Sequence, residues 1–140
     1  MHPVASPKDD PSIAGSEWLY RTMHRTYLKE GNTVSSGAFK SNTNPHTSVE
    51  IASLTAPEQT LRRRPNDIGV VQLLTGKVRA IRPGVIGVAR DPIPASEGEA
   101  ANPAHAVIVR ELEPKSVYRE SARKLAGLCV WVLGPDLARL

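Results

Sequence analysis

Ala104-His-Ala-Val-Ile-Val109, followed shortly by Pro114-Lys-Ser-Val-Tyr-Arg-Glu-Ser-Ala-Arg-Lys-Leu125, is the stretch that decides the fold. The first run is rich in β-branched residues and is entered from a proline-bearing loop, which predicts a strand. The second starts with proline. It places Val117, Tyr118, Ser121, Ala122 and Leu125 on one face and Arg119, Arg123 and Lys124 on the other, the spacing of a half-buried helix. Gly127 is in position to stop that helix, and Leu128 to Leu133 then reads as a further strand closed by Gly134-Pro135.

Upstream, Thr47-Ser-Val-Glu-Ile-Ala-Ser-Leu54 alternates as a strand, with Val49 and Ile51 on one face and Ser48, Glu50 and Ala52 on the other. Thr55-Ala-Pro-Glu58 has capping-box spacing and predicts a short helix over Ala56 to Arg64, stopped by Pro65. Its last turn carries Arg62-Arg63-Arg64, read as a solvated helix end or, alternatively, as a nucleic-acid contact. Glu17 to Glu30 fits either a helical stripe through Leu19, Met23 and Tyr27 or a strand, and both stay open. Asp67 to Leu74 is apolar enough to be buried in either form. Gly76 to Val88 is punctuated by Pro83-Gly84 and Gly87 and predicts short strands and tight turns. Residues 33–46 read as a loop pinned by Phe39, and Asp91 to Pro103 as a long surface loop.

These elements predict an α+β fold: a single small domain of about five short strands with two helices and long Pro-rich loops. Residues 1–15 read as a flexible N-terminal lead-in, 16–135 as the domain, and 136–140 as a short C-terminal tail. The length of 140 residues suits one core. Twelve prolines are about twice the ordinary share and argue against a helical bundle. No apolar run is long enough to span a membrane, and the first residues lack an apolar signal core, so the expected location is cytoplasmic. The single cysteine, Cys129, fits a reducing compartment and reads as a small core filler. Residues 1–70 hold 8 basic and 7 acidic groups and residues 71–140 hold 10 and 7, so the net charge of +4 is spread without a basic arm.

Several residue sets bear on chemistry. His46 and His105 each stand at a loop-to-strand junction, where a side chain reaches a cleft mouth, and His24 lies among polar neighbours; His2 falls in the lead-in and is discounted. With Arg21 or Arg110 as the cation, these histidines supply the inventory of a small RNase-like, nucleic-acid-processing enzyme. No His or Cys pair has metal-ligand spacing, so no metal is expected. There is no dinucleotide-binding glycine pattern, phosphate-binding loop or nucleophile elbow. The aromatic content of 4% is too low for a stacking platform.

Two resemblances add to this. Arg21, then Ser35-Ser36, then Glu111-Leu-Glu113 resembles the layout of arginine-serine-glutamate ADP-ribosyltransferases. That likeness implies NAD as cofactor, with Arg21 and Ser36 holding the dinucleotide and Glu113 polarising the ribose. Val34-Ser-Ser-Gly departs from that family's serine-threonine-serine strand, and otherwise no cofactor is expected.

Leu19-Tyr-Arg21 with His24, Ser35-Ser-Gly-Ala-Phe39, Ser48-Val-Glu-Ile-Ala-Ser-Leu54, Pro57-Glu58, Val88-Ala-Arg-Asp-Pro92 and Asn102-Pro-Ala-His-Ala106 resemble a family of small bacterial proteins without an assigned activity. The likeness runs over roughly residues 18–133. It implies a bacterial cytosolic setting and a single domain. The leading expectation is an accessory protein that binds a larger protein partner, in a defence or toxin-related system. Whether it is an enzyme is left open.

Overall fold

The computed structural model describes residues 8–40 and 44–139. The fold is α+β, as its alternating and helical stretches predict. Six strands form one sheet: β1 (Trp18–Met23), β2 (His46–Ile51), β3 (Gly69–Leu74), β4 (Val85–Arg90), β5 (His105–Arg110) and β6 (Val130–Leu133), in the order β4-β5-β2-β1-β3-β6. Every pairing is antiparallel. Three helices accompany it: α1 (Pro57–Arg62), α2 (Thr75–Arg79) and α3 (Lys115–Leu128). No helix among the described residues is long and apolar enough to cross a membrane.

The pleat sorts the side chains onto two faces. Leu19 and Met23 of β1, Val49 and Ile51 of β2, Val71 and Leu73 of β3, and Ala106 and Ile108 of β5 join one core with Val78, Ile81, Ala122 and Leu125 from the α2 and α3 side. Phe39 seals this layer, as its position alone in a polar stretch predicts; it is buried in a 3-10 turn over Ser36–Phe39. Residues 41–43 of the same predicted loop lie outside the described residues. Helix α1 sits over the opposite face, where its Thr60 meets Glu50 of β2.

One open reading is decided and several expectations are corrected. Glu17 to Glu30 resolves as strand β1 followed by 3-10 turns, because Leu19, Arg21 and Met23 point inward together. The Gly76 region holds helix α2 and not a strand; Val78 is its buried contact, and five residues are too few to display a helical period. The capping box does not form: Ala56 is the cap, no side chain bonds there, and the Thr55 hydroxyl is buried without a hydrogen bond. Gly127 does not stop α3, which runs on to Leu128.

The lead-in is the largest correction. Its residues 1–7 lie outside the described residues, His2 among them, but residues 8–15 are built into the domain. Ile13 is 1% exposed in the core. Asp9 accepts from the Val88 N–H at 2.9 Å, and the Asp10 N–H donates to the Val88 carbonyl at 2.8 Å. Arg79 ties the segment from α2, bonding the Asp9 carboxylate and the Ile13 and Asp10 carbonyls. One apolar anchor and backbone hydrogen bonds leave no periodic trace in a sequence. At the other end, the Asp136 N–H donates to the Ile68 carbonyl at 2.7 Å.

Candidate functional site

Glu50 lies on the α1 face of β2 as the sequence predicts, but that face is covered there and the carboxylate is buried. One oxygen accepts from the Thr60 hydroxyl at 2.7 Å and from Arg63 at 2.5 Å; the other accepts from the Asn102 amide at 2.8 Å. Arg63 is therefore an ion-pair partner and not a solvated helix-end cation. A buried carboxylate needs such donors, because desolvation of an unpaired charge costs several kcal/mol. The Asn102 Oδ1 atom is buried and has no hydrogen-bond partner among the described residues.

His105 is the register partner of Glu50, so the two side chains stand side by side on this face. The His105 Nδ1 faces the Asp91 carbonyl at 2.8 Å and its carboxylate at 3.3 Å. Two acceptors there place a ring proton on Nδ1, so that in the neutral tautomer Nε2 is the acceptor. Tyr20 continues the row on β1 as the other register partner of Glu50. Burial, with the charges of Glu58 and Glu17 adding to it, pushes the Tyr20 phenol above its ordinary range. Motif residues far apart in the chain, Glu50, Asp91, Asn102 and His105, thus meet on one sheet face.

The other histidines do not join them. His46 shares the face but pairs with Val109, four residues along β2 from Glu50, or about 13 Å at strand spacing. It is exposed, and the contact it makes is backbone: its N–H donates to Asn44. His24 caps the 3-10 turn Arg25–Tyr27, its Nδ1 accepting from the Thr26 N–H at 3.2 Å. The three histidines expected for nuclease chemistry occupy three places.

Arg21 and Arg110 point to the opposite face and converge with Ser35 and Ser36 on one turn. Arg21 donates to the Ala38 carbonyl at 2.8 Å and the Ser48 carbonyl at 2.7 Å, and lies over the Phe39 ring. Arg110, 2% exposed, donates to the Phe39 carbonyl, the Tyr118 carbonyl and the Ser121 hydroxyl, with Tyr118 stacked on its guanidinium. Burial lowers both from the usual arginine range. Ser35 caps the turn by accepting from the Gly37 N–H. Glu113 is exposed in the β5–α3 connection and bonds none of them. The guanidinium forks that a dinucleotide needs are engaged by main-chain carbonyls.

The two edges of the sheet differ. Asp9 and Asp10 occupy the outer side of β4 at Val88. On β6 the outward backbone groups have no partner among the described residues, and Val130 and Val132 are 53% and 37% exposed. Val130-Trp-Val-Leu133 carries neither charge nor proline, the usual means of blunting an edge.

Two open depressions meet at Pro65. One, of about 260 Å³, is lined by Glu58, Leu61, Arg62, Pro65 and Leu133; the other, of about 520 Å³, by His24, Arg25, Pro65 and Asn66. Arg25 and Asn66 were not singled out by sequence, having no motif around them. Among the described residues no three His, Cys, Asp or Glu side chains gather as a metal site. No protein-family model matches the chain, and comparison with curated proteins and with solved structures returns no match.

Proposed function

We propose that the protein is an accessory module that binds a larger protein by accepting one of the partner's extended segments along β6. The observation that carries this is the contrast between the sheet's edges: β4 is sealed by Asp9 and Asp10, while β6 presents free backbone groups flanked by Val130 and Val132. A partner strand would gain main-chain hydrogen bonds for affinity, and alternating apolar side chains beside the valines would set its register. The bacterial cytoplasm is the setting this reading takes from the family resemblance. The dispersal of His24, His46 and His105 favours it over the RNase-like alternative, and the engaged forks of Arg21 and Arg110 favour it over the transferase-like one.

The test is affinity capture from the native host with the wild-type chain and with Val130→Lys/Val132→Lys. A partner retained by the first and lost by the second, with both chains folded by circular dichroism, supports the reading. Equal retention, or a strictly monomeric chain that captures nothing, overturns it.

A further inference from the structure

The depression beside Pro65 has a different chemistry from the rest of the surface. It is polar, and beside Pro65 it is lined by His24, Arg25 and Asn66, each of which carries a donor. The His24 Nδ1 is already engaged by the Thr26 N–H, so the neutral ring carries its proton on Nε2, the nitrogen left for a ligand. Arg25 contributes a guanidinium and Asn66 an amide. Arg64 immediately precedes Pro65 in the turn closed by the Asp67 N–H to the Arg64 carbonyl, and Arg62 lines the adjoining depression. The side chains of Arg25 and Arg64 make no hydrogen bond or ion pair with any described residue. Two carboxylates stand near: Glu58 lines the adjoining depression, and Asp67, itself engaged, follows Asn66 in the same turn.

Unpaired arginines on a protein surface are common. Here they come from two separate segments, one after β1 and one after α1: Arg25 lines the concavity, and Arg64 adjoins its Pro65 in the chain. Phosphate oxygens suit this arrangement, because guanidinium forks engage them in pairs and a charged backbone can run across both depressions. The large exposed apolar residues, Leu54, Ile93, Val130, Val132 and Leu137, do not line the His24 depression, so nothing there would insert into a lipid layer. We infer that the surface formed by His24, Arg25, Arg64 and Asn66 binds the sugar-phosphate backbone of a nucleic acid, without reading its bases. This site is separate from the β6 edge and does not depend on it.

Fluorescence anisotropy with a labelled single-stranded RNA about 20 nucleotides long tests this on the full chain. Arg25→Glu/Arg64→Glu is compared with Lys115→Glu/Lys124→Glu, which changes the net charge equally on exposed positions of α3. The first variant is expected to bind at least about tenfold more weakly and to lower the slope of log affinity against log salt by about 1.4, the loss of two phosphate contacts. The control keeps the wild-type slope. Circular dichroism establishes that each variant is folded. The inference is overturned if the wild type fails to bind at about 50 mM salt, if both variants lose affinity alike, or if polyglutamate or anionic vesicles bind as tightly as the RNA.

Discussion

Arg21 and Arg110 grip adjacent carbonyls of one turn, Ala38 and Phe39, from strands that are not neighbours: β1 and β5 lie on either side of β2, and both arginines reach past it. Neither has a carboxylate partner among the described residues. Their positive charge is balanced by main-chain dipoles and by the faces of Phe39 and Tyr118.

Replacing Arg110 by methionine would take a donor from the Phe39 carbonyl and the Ser121 hydroxyl inside the core, while the Tyr118 carbonyl keeps the Ser121 hydroxyl. A loss of about 3 kcal/mol is expected in urea unfolding, and about 2 kcal/mol for Arg21→Met. The double variant should lose less than the sum, because each substitution releases the same turn. Strict additivity would count against a shared role.

Glu50 offers a second contrast. Glu50→Ala removes the shared acceptor of Thr60, Arg63 and Asn102, of which the Thr60 hydroxyl alone keeps another, the Ala56 carbonyl, and is expected to cost about 3 kcal/mol. Arg63→Ala removes one donor of three from a partly exposed pair and should cost about 1 kcal/mol. Equal losses in denaturant midpoint would show that the carboxylate is not the hub of the cluster.

Acid should loosen the N-terminal segment. Hydrogen bonds from Ser12 hold the Asp10 carboxyl below its ordinary 3.8, with Arg90 and Arg79 adding and slight burial opposing. A folded-state value below the unfolded one means the contribution is complete above the unfolded value and fades as pH falls through the folded one. Asp10→Asn should therefore flatten the acid limb of a stability–pH profile. An unchanged limb would remove Asp10 from the account.

Burial, offset only in part by Arg21, pushes the Cys129 thiol up to about 12. At pH near 8 the native thiol should react with a disulfide reagent on the order of a thousandfold more slowly than in denaturant, following its thiolate fraction. Rapid labelling of the folded chain would contradict this.

The strands rich in β-branched residues were legible because their partners matter little to the pattern. Ala104 to Val109 reads the same wherever it lies in the sheet. The Glu17 to Glu30 segment was ambiguous because Arg21 occupies an inward position, so a charge interrupts the apolar alternation that marks a strand. The burial of Glu50 was not legible because its donors come from positions 60, 63 and 102, which no local window contains. At the candidate sites the sequence picked out Arg21, Arg110, Ser35 and Ser36, and these do meet. Their acceptors are main-chain carbonyls, which every residue possesses, so the purpose of the meeting left no mark. Arg25 and Asn66 acquire interest only through a concavity made by two distant segments.

The clasp between Asp9 and β4 also orders events during synthesis. The segment that seals one edge leaves the ribosome before its receptors, Arg79 and Val88, which are made about 70 and 79 positions later. Until then it has nothing to hold. Strand β6, at the other edge, emerges later still and needs only β3, which is already available. A nascent chain therefore carries an idle clasp until α2 and β4 have been made, and the edge it guards is covered almost as soon as that edge exists.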